Sequence, residues 1–385
     1  MLPATETIPM RPVVASSIGI ECVDDVWGFT ALRPQWNELL RASASDGPFL
    51  TWEWLHAWWK HVGGTTGLRL LAVRSNNELI AIAPLRMSGG RVSWFSRVEF
   101  LGTGAAGSDY LDVIVRRGRE AESVRAIARF LRSQKLPLRL NHVPDDSLAA
   151  QVAAQLAADG WTVSVAPDGV CPIIRLAGQT WDSYLATLGS SHRANVRRRV
   201  KGIGQRFQMT FEPVASEDQR REALAALIGY HEKRFGSEGS AFRTPALRAF
   251  HDEVSRRALE RGWLRMYVLR LNGAIAAVMY GFWQHRRFYF YQHGFDDQYM
   301  PHSIGLVLMA LTVRAAIDDG AEEFDLLWGV EPYKWLWTDQ TRPLHQFRIF
   351  PPTMGGRVQR RAVNARHLLK SVVRRVMPRG DSSAT

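Results

Sequence analysis

Phe288-Tyr289-Phe290-Tyr291-Gln292-His293-Gly294-Phe295-Asp296-Asp297-Gln298-Tyr299-Met300-Pro301-His302-Ser303-Ile304-Gly305 opens the most informative stretch of this 385-residue chain. An apolar run follows, and then Glu322-Glu323-Phe324-Asp325-Leu326-Leu327-Trp328-Gly329-Val330-Glu331-Pro332-Tyr333-Lys334-Trp335-Leu336-Trp337. The aromatic alternation predicts a strand over 286–292 that ends in a polar loop. Ser303-Ile304-Gly305 then opens a helix over 305–317 that is apolar all round, as a helix packed between a sheet and another element is. Unpaired backbone N–H groups at such a helix start form an anion site, and Gly305 lets a ligand approach the backbone. The next strand, 322–328, carries Asp325 towards the same end of the sheet. His293, Asp296, Asp325, Tyr333 and Lys334 are ionisable or proton-donating residues gathered at strand ends, where α/β sheets bind ligands. Such an arrangement suits a phosphate-bearing cofactor.

Outward from this stretch, residues 264–271 and 274–282 predict a hairpin turning at Asn272-Gly273. An earlier hairpin, 68–74 with 79–85, turns around Ser75-Asn76-Asn77. The two are alike in residues as well as kind, with Leu68-Arg69-Leu70-Leu71-Ala72-Val73-Arg74 matching Leu264-Arg265-Met266-Tyr267-Val268-Leu269-Arg270. Helices are expected over 36–40, 51–61, 120–133, 147–158, 181–206, 217–235 and 246–261, with further strands over 91–100, 110–115, 137–143, 161–165, 207–213 and 344–350. The tryptophans of 51–61 are expected in a core. Length alone suggests two domains. The expected organisation is a flexible leader (1–20), a first mixed α/β domain (21–170), a second (171–352) and a basic tail (353–385).

Hydrophobic residues make up 46% of the chain and charged residues 22%, which excludes wholesale disorder, collagen and coiled coil. No run reaches the apolar length of a membrane span, and the first residues lack the pattern of a secretion signal, so a cytoplasmic protein is expected. Cys22 and Cys171 stand far apart with no paired spacing, and no metal site is expected. The formal charge is +12, and eight basic residues with no acidic one fall between 357 and 379. Val358, Ala362, Ala365, Leu368, Leu369, Val372, Val373 and Val376 place an apolar stripe on that basic tail, which suits either docking on the preceding domain or peripheral contact with an anionic membrane. A second cluster, with Arg193, Arg197, Arg198, Arg199 and Lys201, lies inside the body and can hold phosphates. The glycines of 102–107 have no nucleotide-loop context, which excludes a nucleotide hydrolase. Asp109 and Tyr110 follow them, on a loop that can line a groove between the domains.

Gly294-Phe295-Asp296, the Ser303-Ile304-Gly305 helix opening, Phe324-Asp325, Gly329 and Glu331-Pro332-Tyr333-Lys334 resemble the signature of the BioF2-like branch of the GNAT acyltransferase superfamily. This branch includes the CelD/BcsL-type proteins associated with cellulose and envelope polysaccharide synthesis. The likeness extends to Phe49-Leu50-Thr51-Trp52-Glu53-Trp54-Leu55, Ile82-Ala83-Pro84-Leu85, Ser108-Asp109-Tyr110-Leu111-Asp112 and the Arg-rich helix at 193–201, covering about residues 45–350. The resemblance implies two tandem GNAT-like domains, each a mixed, mostly antiparallel sheet flanked by helices, and a relationship to FemAB aminoacyltransferases. It implies transfer of an acyl group from acyl-CoA (acetyl-CoA in the simplest case), without a metal, to an amine or hydroxyl of a saccharide, lipid-linked or other envelope-precursor acceptor. His302, Ser303, Ile304 and Gly305 are then the expected donor-pyrophosphate site. His293 or Asp325 is expected to accept the acceptor's proton, Tyr333 to protonate the leaving thiolate, and Lys334 to stabilise the oxyanion or bind phosphate. Asp109, Tyr110, Arg193, Arg197 and Asp296 are expected to face the acceptor. Relatives commonly have Ser-Pro-Gly where this chain has Ser303-Ile304-Gly305, which implies a shifted donor preference. Two other readings remain open: an aminoacyl-tRNA donor held by the Arg193–Lys201 cluster, and an inactive GNAT-fold scaffold at a membrane.

Overall fold

In the computed structural model, which describes residues 18–64, 67–89 and 96–362, Asn76 and Asn77 (φ 49° and 66°) and Asn272 and Gly273 (φ 50° and 83°) occupy the left-handed region. Two such residues in succession close a hairpin whose twist matches its strands. The strands are β1 (Ile18–Val23), β2 (Leu68–Ser75), β3 (Glu78–Ser88), β4 (Arg97–Phe100), β5 (Ile114–Val115), β6 (Leu138–Pro144), β7 (Thr162–Arg175), β8 (Met209–Pro213), β9 (Leu264–Leu271), β10 (Ala274–Gln284), β11 (Arg287–Phe295), β12 (Glu323–Asp325) and β13 (Thr341–Phe350). The helices are α1 (Val26–Ala31), α2 (Arg33–Arg41), α3 (Trp52–His61), α4 (Glu120–Gln134), α5 (Leu148–Ala158), α6 (Trp181–Thr187), α7 (Ser190–Arg206), α8 (Glu217–Gly239), α9 (Pro245–Glu260) and α10 (Ile304–Asp318).

The hairpins β2–β3 and β9–β10 are structural equivalents. β2 and β9 bury the same positions, with only Arg69 and Arg74 in one and Arg265 and Arg270 in the other reaching partial exposure. Near-continuous burial of this kind belongs to central strands covered on both faces. The sheet order is β1-β2-β3-β4-β6-β13-β7-β12-β11-β10-β9-β8, with β5 against β3. Its two ends mirror each other: four antiparallel strands, then a helical crossover (α4 or α10) to a parallel neighbour, β6 beside β4 and β12 beside β11. This is the tandem, mixed-sheet fold expected of two GNAT-like units.

At the centre the halves exchange strands. β7 ends the first half in sequence, yet Ile173–Arg175 pairs with β12 of the second. β13 ends the second half, yet pairs with β6 of the first, and β7 and β13 pair with each other. The boundary expected at 170/171 therefore falls inside β7. The packing also crosses between halves. Trp54 of α3 meets Phe250 of α9 and Tyr291 of β11 edge-on at 5.0 and 5.4 Å, and Trp52, Trp54 and Trp58 are all buried.

Four local expectations are corrected. The single helix over 181–206 is two, because Leu188 is extended (ψ 152°) and Gly189 caps the start of α7. The strand expected over 110–115 contracts to β5. Tyr110 is left-handed (φ 56°), and the Asp112 carboxylate accepts the amides of Val113, Leu148 and Ala149, which holds this segment out of the ladder. The strand expected over 161–165 runs on to Arg175 as β7. β1 begins at Ile18, so the end of the expected leader is a strand; residues 1–17 lie outside the described residues, as do 363–385 and with them most of the basic tail. No helix among the described residues is long and apolar enough to cross a membrane.

Candidate active site

Beyond the pair Tyr289–Asp325 the two parallel strands part, because β11 continues to Phe295 while β12 stops at Asp325. The gap opens a cleft of about 970 Å³ between the halves. Gly305, Leu306 and Met309 of α10 line one end with Phe295, His293 and Tyr333; Asp109, Arg139, Asn141, His142 and Asp168 of the first half, with Gln346 of β13, line the other. Divided in this way, the cleft offers two substrate ends meeting near β11.

The α10 end of the cleft is built by the turn after β11. A 3-10 turn, Asp297–His302, is capped by Asp296, whose carboxylate accepts the Gln298 amide at 3.1 Å. Ser303 then adopts the left-handed conformation (φ 57°, ψ 44°) that swings the chain into α10. The amides of Ile304 and Gly305 lie in the first turn of that helix, where no preceding carbonyl of the helix reaches them. Gly305 is required for an unexpected reason: a Cβ there would stand 3.0 Å from the Phe295 ring, so its smallness admits Phe295 as well as leaving the backbone on the cleft. α7 flanks the turn. Arg199 donates to the Pro301 carbonyl at 3.2 Å, and Arg206 lies 3.5 Å from His302 Nδ1. Arg234 of α8 sits over the Phe295 ring at 4.8 Å and lines the same end.

The expected site residues separate into two groups. Asp109, His293, Gly305, Tyr333 and Lys334 come together on the cleft. Asp325 lies beneath it, fully buried, accepting Tyr110 Oη (2.7 Å), Arg342 (3.1 Å) and the Leu327 amide (2.8 Å). Burial pushes its carboxyl up, against the pull of Arg342. Asp325 and Tyr110 thus belong to an ion network linking the halves, continued by the Arg342–Glu323 pair at 3.0 Å. Lys334 is also engaged. Its ammonium donates to the Leu327 and Trp328 carbonyls (3.2 and 2.9 Å) and pairs with Glu331 at 2.9 Å, which clamps the loop after β12. Leu327 holds φ 56° there, a conformation a branched apolar residue keeps only when its surroundings impose it. Asp296 serves as a turn cap. Arg193 donates to the Ala186 carbonyl and Arg197 lies 3.6 Å from Asp182, both away from the cleft.

Three titratable groups on the cleft differ in their chemistry. Burial lowers His293 to about 3, with the His231, Arg234 and Lys334 charges adding to the effect, so its imidazole is neutral and weakly basic. Burial holds the Tyr333 hydroxyl protonated by raising its pKa. Asp109 is raised to about 7, chiefly by burial and further by Asp325 and Asp168, while the Trp328 amide (2.9 Å) opposes the shift. A carboxylate poised near neutrality is matched to proton transfer. His142 faces it, Nδ1 3.8 Å from Asp109 and 3.9 Å from Asp168, with φ 55° and a ring nitrogen that has no hydrogen-bond partner.

Sequence reasoning overlooked Arg234, Asn141, His142 and Asp168. The signal for the middle two was their place within β6, the counterpart of the strand that ends at Asp325. Among the described residues, no group of three or more His, Cys, Asp or Glu is arranged to hold a metal ion.

Residues 190–335 match the family model of the acetyltransferase (GNAT) domain. Three solved structures are similar over most of the chain. FemX aligns with a TM-score of 0.58 at 11% identity, over 81% of this chain and 95% of its own. A conserved protein of unknown function from Bacteroides thetaiotaomicron aligns at 0.54 and 13%, over 86% and 100%. L-PGS from Bacillus licheniformis aligns at 0.50 and 13%, over 77% and 90%. No curated protein matches the sequence. The mirrored sheet, the β11–α10–β12 crossover and the family match lead to one assignment: this chain carries a GNAT-type acetyltransferase domain at residues 190–335, within a tandem GNAT-like fold similar to that of FemX.

Proposed function

We propose that the chain transfers an acyl group, acetyl in the simplest case, from acyl-CoA to an amine or hydroxyl of a saccharide, lipid-linked or other envelope-precursor acceptor, with Asp109 as general base. The observation that carries this reading is the position of Asp109, which brings a neutrality-poised carboxylate from the first half onto the cleft that reaches the α10 start in the second. The donor's pyrophosphate lies at the start of α10, where Gly305 lines the cleft, with Arg234 adding positive charge at the same end. The acceptor lies against Asn141, His142, Asp168 and Gln346, a wall rich in hydrogen-bonding groups.

Asp109 takes the proton from the acceptor's amine or hydroxyl as its nitrogen or oxygen bonds to the thioester carbonyl carbon. The tetrahedral intermediate then collapses, the carbon–sulfur bond breaks, and Tyr333, kept protonated by burial, supplies the proton to the departing thiolate. His293 contributes a neutral, weakly basic ring beside the reacting groups rather than proton abstraction. Asp325 and Lys334 act from behind, fixing the inter-half network and the loop after β12.

Isothermal calorimetry with acetyl-CoA and longer acyl-CoAs tests the donor. Saturable binding that weakens at least tenfold in Arg234→Ala is expected; no heat with any of them, from folded protein, rejects the donor. A second reading, an aminoacyl-tRNA donor, is favoured by the exposed Arg197, Arg198 and Lys201 on α7 beside the anion turn. Retention of charged tRNA on a filter, falling steeply with salt, would select it over acyl-CoA.

A further inference from the structure

Large apolar side chains are distributed unevenly over the surface of this protein. Of the twelve that are exposed among the described residues, Phe235, Trp328 and Leu336 line the cleft, Val330 and Trp335 belong to the same loop as the last two, and Met300 sits in the turn that leads into α10. Four come from one loop, which follows β12: Trp328 is 51% exposed, Val330 65%, Trp335 41% and Leu336 50%. This inverts the usual loop, in which charges face water and apolar groups turn inward. The loop's only charges, Glu331 and Lys334, pair with each other, and the Lys334 side chain is 3% exposed.

The exposure is imposed by a rigid frame. Trp328 donates its amide to Asp109 and its indole N–H to the Asp168 carbonyl at 2.7 Å, and its ring lies so close to Gly169 that a Cβ there would be 2.2 Å from Nε1. The Gly329 amide donates to the Val170 carbonyl at 3.1 Å, and the Trp335 indole to the Val330 carbonyl at 3.3 Å. A loop held at so many points keeps these side chains in water only if something apolar covers them in use.

What covers them is indicated by the neighbouring charge. α7 abuts the apolar rim at both ends. His192 meets Trp337 edge-on at 5.1 Å, and Arg199 holds the Pro301 carbonyl next to Met300. Arg198 and Arg206 of the same helix are exposed, the latter beside His302, and Arg234 adjoins Phe235 at the mouth. Exposed Trp and Leu beside a basic helix are the residue types that seat a protein in the headgroup region of an anionic bilayer, aromatic rings at the interface and cations against lipid phosphates.

We propose that the rim formed by the 328–336 loop, Phe235 and Met300, flanked by the basic face of α7, docks on an anionic membrane surface and holds the mouth of the cleft against it. The surface is distinct from the basic tail, and its test does not depend on the acyl-transfer reading.

The experiment is co-sedimentation of the full chain with vesicles of phosphatidylcholine alone and of phosphatidylcholine carrying about one-third phosphatidylglycerol. Binding to the anionic vesicles, weak binding to the neutral ones and loss at high salt are expected. Val330→Ser/Trp335→Ser, two positions outside the cleft lining, should lower partitioning about tenfold or more. Arg198→Glu/Arg206→Glu should lower it independently, so a folding defect in one pair does not leave the question open. Equal partitioning of both double variants and the parent would assign any binding to the tail and overturn the proposal, as would absence of binding by the parent. Acetyl-CoA calorimetry on the same samples reads the donor site separately: docking without donor binding would reject the acyl-CoA reading and leave this one standing.

Discussion

Replacing Asp109 by Asn tests the chemistry and the energetics of the site together. The carboxyl is raised from an ordinary value of 3.8 to about 7, mainly because it is buried. The folded state therefore binds more protons than the unfolded state between those values, and stability falls as pH rises from about 4 to about 7. A shift of about 3 units corresponds to about 4 kcal/mol, which the native protein forgoes above neutrality by burying this charge. Asn removes the charge, can still accept the Trp328 amide, and offers an N–H to His142 Nδ1, which lies 3.8 Å from Asp109 Oδ1 and has no partner. At about pH 8 the variant should be more stable in urea unfolding by about 2–4 kcal/mol, and at about pH 4 the difference should vanish. Turnover should move the other way. The wild-type kcat/KM should rise with pH to a plateau above about 7, whereas Asp109→Asn should lose about 100-fold or more and the pH limb with it. Wild-type turnover in the variant, or a wild-type profile that is flat through neutrality, would refute Asp109 as the base. Equal stability of the two proteins at high pH would refute the buried charge.

Ser303 is left-handed (φ 57°), so Ser303→Gly relieves about 1–2 kcal/mol of strain, offset in part by glycine's unfolded-state entropy. A net gain of about 0.5 kcal/mol in thermal unfolding, with donor affinity within about twofold, is expected. Lys334→Met deletes two hydrogen bonds to backbone carbonyls and unpairs Glu331, and should destabilise by about 2–4 kcal/mol while opening the loop to limited proteolysis between 326 and 336; unchanged stability would show that the clamp is not needed. Gly169→Ala meets both a positive φ of 108° and the Trp328 ring, and calorimetric unfolding should show a loss of about 2 kcal/mol or more.

Turn chemistry and helix apolarity were legible in the sequence because they are local. Asn76-Asn77 and Asn272-Gly273 specify hairpins from two residues each, and the largely apolar run of α10, broken only near its end by Arg314, reads as a covered helix. Pairings over long separations were not. Nothing near Thr162–Arg175 or Thr341–Phe350 reports which strand of the other half each will join, since edge compatibility is decided by the whole sheet. The site divides in the same way. Its helix start was legible from Ser303 to Gly305, whereas the roles of Asp109 and Asp325 turned on burial. Asp325 has three partners under the sheet and Asp109 faces the cleft, a distinction that residue type cannot carry. Lys334, between two aromatic neighbours, resembles a substrate-facing cation until its carbonyl partners, six and seven residues back, are known.

The crossing of β7 and β13 makes each half an unfinished object. A fragment cut at residue 170 would leave β6 without β13 in one piece, and β13 without β6 and residues 162–170 in the other, two raw edges inviting pairing with other chains. The segment matched by the acetyltransferase family is thus no portable cassette. Gene fission here should be lethal to both products, and swapping the acetyltransferase segment between relatives should succeed only when residues 162–175 and 341–350 travel with it.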